Sequence, residues 1–117
     1  MIKVSLPNEI RIGDTAYKII FDNKHGKFTG YAASTSHRAG EEEIVIDNNL
    51  SGAQLTDAIL HESFHIIGRI YSLGLEETPV CCLTQGIAQL LTQLGIEFSK
   101  QGKSKGRRDN KPEVARE

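Results

Sequence analysis

The sequence predicts an α+β domain in which a small, mostly antiparallel sheet is followed by an antiparallel helix pair. Three observations carry this reading. Short β-branched and aromatic runs separated by turn residues occupy the first half, from Ile10 to Asp47. Helical periodicity begins at Ser51 and continues to about Phe98. A length of 117 residues, 38% hydrophobic and 25% charged, fits one domain with a modest core.

Ile10 to Ile12 and Ala16 to Phe21 read as two strands joined by Gly13-Asp14, a dipeptide suited to a tight turn. Asn23 to Lys27 is a loop by composition, and a further strand is expected through Phe28 to Thr35. Glu43-Ile44-Val45-Ile46-Asp47 is the clearest strand, short and β-branched. The first helix should be N-capped by Ser51, with Gln54 three residues later in the spacing of a capping box. Leu55, Ile59, Ser63, Ile66 and Ile70 form one stripe of that helix, and Leu60, Phe64, Ile67 and Tyr71 form another, which predicts a deeply buried helix. Leu73-Gly74-Leu75 should end it, glycine taking its usual C-terminal place. A second helix starts near Glu76-Glu77-Thr78-Pro79, and Val80, Leu83, Ile87, Leu90, Leu91 and Leu94 carry it to about Phe98. Residues 1–98 are thus read as the domain, and residues 99–117 as a basic tail expected to be disordered.

That tail holds seven of the fourteen basic residues and three of the fifteen acidic ones, so it carries +4 and the remainder −5. It has almost no apolar residues and no aromatic ones, which favours a solvated segment over a nucleic-acid binding arm. No run approaches the roughly 18 apolar residues of a membrane span, and Met1 to Val4 lacks a signal peptide's apolar region, so a cytoplasmic location without membrane association is expected. Cys81 and Cys82 are adjacent, a poor geometry for a disulfide, and are read as small core residues.

The chemistry concentrates at His61-Glu62-Ser63-Phe64-His65. Two histidines four apart on a helix share a face and can bind one tetrahedral Zn²⁺, while Glu62 lies close to a metal-bound water. Zinc lowers the pKa of such a water to about 7, Glu62 accepts its proton, and the hydroxide attacks a polarised carbonyl; the reaction class is amide hydrolysis. Chance occurrence of this pattern is roughly a one-in-a-few-hundred event at ordinary residue frequencies. The bland alternative is that these side chains hydrogen-bond among themselves and line a groove without metal.

Catalytic zinc normally has three protein ligands and a water. Tyr71 stands where a histidine three residues after Gly68 would complete a metzincin motif, so that class is excluded. A glutamate from the next helix is the remaining familiar solution, with Glu77 favoured and Glu76, Gln85 or solvent as alternatives. A straight helix from His65 to Tyr71 climbs about 9 Å, so an antiparallel return would leave Glu77 high above His65 unless Gly68 ends or bends the helix early. Strand Ile44 to Ile46, at the edge before the helix, is placed to hold an extended substrate by β-augmentation. Tyr31, His37, Arg38 and Tyr71 are possible oxyanion donors, each more readily explained as a surface or packing residue.

Together, Ile44-Val45-Ile46-Asp47, the Leu60-His61-Glu62-x-x-His65 helix, Leu73 to Glu77, Val80-x-x-Leu83-x-x-Gly86-Ile87 and Leu94-Gly95-Ile96 resemble small phage and prophage zincin-like proteins, over about residues 10 to 98. Pro79 and the basic tail depart from that pattern. The resemblance implies a minimal zincin-like fold, a Zn²⁺ cofactor held by His61, His65 and Glu77, catalytic Glu62, and a protein or peptide substrate. The expected function is that of a zinc metallopeptidase, a hydrolase. The competing reading is a non-enzymatic, zinc-stabilised or degenerate zincin that serves as a protein-interaction module.

Overall fold

A computed structural model describes residues 2–23 and 33–100. The elements are β1 (Ile2–Ser5), β2 (Glu9–Ile12), β3 (Thr15–Asp22), β4 (Ala33–Ser36), β5 (Glu43–Asp47), α1 (Gly52–Ile70), α2 (Glu77–Gln93) and β6 (Ile96–Ser99). The described residues form a small α+β arrangement of two helices with a mixed four-stranded sheet and a parallel two-stranded one.

The expected hairpin is present: β2 pairs antiparallel with β3, and Gly13 supplies the positive φ of 61° that the turn requires. Beyond it, the mostly antiparallel expectation is corrected. The four-stranded sheet has the order β2-β3-β5-β4, with β5 parallel to β3 and antiparallel to β4. The chain leaves β3, forms the far edge first as β4, and then turns back to insert β5 between the two. Isoleucines explain the insertion, because Ile44 and Ile46 are completely buried and need a neighbour on each side. Strand Ile44 to Ile46 is therefore internal rather than the edge, and β4 takes the edge position. Of the strand expected through Phe28 to Thr35, only β4 lies within the described residues; Tyr31 and the loop at Asn23 to Lys27 fall wholly or mostly outside them.

A second, two-stranded sheet pairs β1 with β6 in parallel, setting Lys3 opposite Glu97 and Val4 opposite Phe98. The second helix accordingly stops at Gln93 instead of running to Phe98. Leu94 caps it, and Gly95 at φ 76° redirects the chain into β6. Strand β6 reaches Ser99, and the tail beyond residue 100 lies outside the described residues.

Helix α1 begins where the sequence places it. Ser51 is the N-cap in extended conformation, although its side chain makes no capping hydrogen bond. The buried face of α1 is centred on Leu55, Ile59, Glu62 and Ile66, with Thr56, Ala58 and Gly68 beside them, and Leu55, Ile59 and Ile66 meet Tyr17, Ile19, Ile44 and Ile46 from the sheet. The second expected stripe is half-buried, and Tyr71 at its end is exposed. The two helices pack against one another, and β6 lies on α1, where the backbone N–H of Phe98 donates to Thr56 Oγ1 at 3.2 Å. Helix α2 buries Val80 and Thr84 but leaves Leu83 and Leu90 exposed, and its C-cap Leu94 is exposed as well. The cysteines are not core residues: Cys81 is half-buried and Cys82 exposed.

Helix α1 ends at Ile70, before the Leu73-Gly74-Leu75 stop, through a Schellman turn. The Leu73 N–H donates to the Gly68 carbonyl at 2.9 Å and the Ser72 N–H to the Arg69 carbonyl at 3.3 Å. The left-handed position belongs to Ser72, at φ 54°, where glycine is normally preferred. Ser72→Gly is expected to raise unfolding stability by about 1 kcal/mol, read from urea denaturation; a decrease would show that the Ser72 side chain holds the turn.

Candidate metal centre

The buried stripe of α1 fixes where the His-Glu-x-x-His residues face. Glu62 lies on the core-facing side and is only 8% exposed, whereas His61 and His65 flank it at intermediate burial. A buried carboxylate is costly without partners. The Thr35 hydroxyl, on edge strand β4, donates to Glu62 Oε1 at 2.5 Å. Thr35 is held in register opposite Ile44, so the sheet core aims the hydroxyl.

Glu77 joins the histidines. Its Oε1 lies 2.9 Å from His65 Nε2 and its Oε2 3.0 Å from His61 Nε2, while the two Nε2 atoms are 3.2 Å apart. Ligand bonds of 2.0–2.1 Å around a tetrahedral ion separate donor atoms by roughly 3.3 Å. His61, His65 and Glu77 therefore form a group that could hold a metal ion, all their ligand atoms lying within 4.8 Å of one another. It is the one such group among the described residues. Glu76 is the N-cap of α2 and Gln85 lines a neighbouring cavity; neither belongs to the group.

The height difficulty is resolved without breaking α1 at Gly68, which remains helical. Gly68 instead lets the return loop close down. A Cβ there would lie 3.1 Å from Leu75 Cβ and 3.2 Å from its Cδ1, so the missing side chain admits Leu75 against the helix two residues before Glu77. Cys81, one turn further along α2, donates its thiol to Glu77 Oε2 at 3.5 Å. Partial desolvation pushes the Glu77 carboxyl up, but the Cys81 hydrogen bond, the charge of His61 and the hydrogen bond and charge of His65 outweigh it. The net position is below the ordinary carboxylate value. Desolvation and then the Glu77 contact hold the Cys81 thiol above its ordinary value.

A cavity of about 820 Å³ opens between α1 and β4, with Ala58, His61, Glu62, His65 and Glu77 on one side. Ala33, Ser34, Thr35 and His37 form the other. His37 is thereby singled out among the four possible oxyanion donors. Tyr71 points to the Gly13 turn, Arg38 pairs with Glu41 at an exposed site, and Tyr31 is outside the described residues. His37 Nδ1 is 2.9 Å from the Tyr17 hydroxyl, and the two rings meet edge to face. Burial first, and then the charge of Arg69, lower the His37 pKa; Glu62 opposes this and His65 adds to it. Sequence reasoning gave Thr35 no role, and no local signal marks it, because its partner is 27 residues away.

In comparisons with known proteins, the chain matches no family model, no curated protein and no solved structure. No helix among the described residues is long and apolar enough to cross a membrane.

Two substitutions test this geometry. Thr35→Val should cost about 1–3 kcal/mol in urea denaturation, the range for removing a hydrogen bond to a buried charged group, and Thr35→Ser should recover much of it. Gly68→Ala should lower metal affinity by displacing Leu75 and the Glu77 corner. Its gain in helix propensity offsets the crowding and keeps stability within about 1 kcal/mol. Zinc titration beside urea melts reads both effects, and unchanged zinc affinity would separate the Leu75 contact from the placement of Glu77.

Proposed function

We propose that the chain is a zinc-dependent peptidase-like protein in which His61, His65 and Glu77 hold Zn²⁺ and Glu62 is the general base. The observation that carries this reading is the convergence of both Nε2 atoms and the Glu77 carboxylate beside Glu62, in a cavity open to a substrate. Bound zinc supplies an acidified water and a Lewis acid for the carbonyl. With zinc bound, Glu62 would accept a proton from water and return it to the departing amine, and the Thr35 hydroxyl bonded to Oε1 would hold the carboxylate in place. An extended peptide fits along edge strand β4, in place of the internal strand Ile44 to Ile46, by main-chain pairing.

The same proposal includes the minimal zincin-like plan, with the helices as an antiparallel pair. Its support is that Glu77, at the start of α2, meets His65, while Thr92, near its end, shares a cavity wall with Ala53 at the start of α1. Membership of the small phage and prophage zincin-like proteins, on the sequence resemblance, and a cytoplasmic setting belong to the same proposal. A non-enzymatic interaction module is favoured by one observation, the exposed leucines of α2, and on that reading zinc would only brace the helices.

Metal analysis of protein purified without added zinc, compared with two variants, tests the proposal. His61→Ala should lose zinc affinity by more than the roughly 10–100-fold that an outer-shell substitution costs. Glu62→Gln should retain the metal and lose about 10²–10⁴-fold in peptide hydrolysis. Equal zinc in all three proteins would end the metal reading, and zinc binding without Glu62-dependent hydrolysis would leave the interaction module.

A further inference from the structure

We infer that His37 is a second catalytic residue of this cavity, a neutral imidazole whose Nε2–H donates to the oxygen of the carbonyl under attack, with Tyr17 as its positioning residue. This inference rests on the peptidase reading, and goes beyond it by assigning the electrophilic side of the reaction. Three observations converge on it. His37 follows β4 directly and lines the cavity on the wall opposite His61 and His65. Its Nδ1 is engaged by the Tyr17 hydroxyl at 2.9 Å, and Tyr17 is 1% exposed in the centre of the sheet. The rings meet edge to face at a centroid distance of 5.7 Å, so the imidazole is held by packing as well as by the hydrogen bond.

The phenol selects the tautomer through a desolvation cost. The Tyr17 hydroxyl can donate to Nδ1 or accept from it, and donation is the direction that keeps the buried phenol proton hydrogen-bonded; Nδ1 is then the acceptor and the ring proton resides on Nε2. That proton is available to a ligand in the cavity. When water oxygen bonds to the peptide carbon, the carbonyl π pair moves onto oxygen, and a preorganised N–H directed at that oxygen stabilises the charge as it forms. The water proton passes to Glu62 and then to the leaving nitrogen as the C–N bond breaks. His37 exchanges no proton and serves only as a hydrogen-bond donor. Base and donor thereby approach the carbonyl from different elements, Glu62 from α1 and His37 from the end of β4.

The test uses the full chain loaded with cobalt(II), whose visible spectrum reports ligands, titrated with methylphosphonate as a tetrahedral oxyanion and with acetate as a planar carboxylate. His37→Phe should weaken methylphosphonate by about 10–100-fold, the value of a hydrogen bond to a charged group, and leave acetate within about twofold. His37→Gln, which keeps an N–H donor, should recover part of the phosphonate affinity. Tyr17→Phe retains the ring in the core and should lose phosphonate affinity in the same selective way. Equal weakening of both anions would assign His37 a structural role, and unchanged phosphonate affinity in His37→Phe and Tyr17→Phe would remove it from the reaction. A cobalt spectrum absent from the unsubstituted chain would instead overturn the metal reading, and the role of His37 with it.

Discussion

The seating of α1 on the four-stranded sheet is the constraint on which the rest of the molecule depends. Leu55, Ile59 and Ile66 press against Tyr17, Ile19, Ile44 and Ile46, and nearly all of these side chains are withdrawn from water. Burial on this scale is worth roughly 1.5–3 kcal/mol for each large aliphatic side chain, enough to fix the rotation of the helix about its axis. Once the rotation is fixed, Glu62 must lie on the buried side, between Ile59 and Ile66, and His61 and His65 must emerge beside it. The candidate centre is thus a consequence of how the core closes.

Glu62 is the one charged member of that buried face, and it is tolerated because the edge of the sheet answers it. Thr35 reaches it from β4, and β4 is held by its pairing with β5, whose isoleucines form the floor of the core. A carboxylate placed in such surroundings is a poor choice for packing unless it is hydrogen-bonded. The same sheet positions His37 through Tyr17, whose ring belongs to the core while its hydroxyl meets the imidazole. Apolar packing and site chemistry therefore share residues, and a disturbance of the sheet should be felt on both sides of the cavity.

The third member of the group depends on the connection between the helices. A Schellman turn at Tyr71 to Leu73, carried by the left-handed Ser72, reverses the chain, and Gly68 admits Leu75 so that the corner settles onto α1. Glu77 then enters the first turn of α2, where a negative side chain suits the helix dipole, and its carboxylate spans both histidines. Close approach at one glycine accomplishes what an early helix end was expected to do.

The sequence by itself determined the features that depend on neighbours within a few residues. These are the hairpin at Gly13, the existence of a strand at Ile44 to Ile46, the helix start at Ser51 and the four-residue spacing that puts His61 and His65 on one face. Periodicity and turn chemistry are local, so they can be read along the chain. Glu77 was legible only as one candidate among several, since its approach depends on a reversal between the helices. The pairing of β1 with β6 joins residues 94 positions apart, the insertion of β5 beside β3 reorders the sheet, and Thr35 and His37 meet partners 27 and 20 residues away. Those contacts are selected by which apolar faces can close together in three dimensions. Only the tertiary structure decided them, because burial is a property of the assembled fold and no local spacing encodes it.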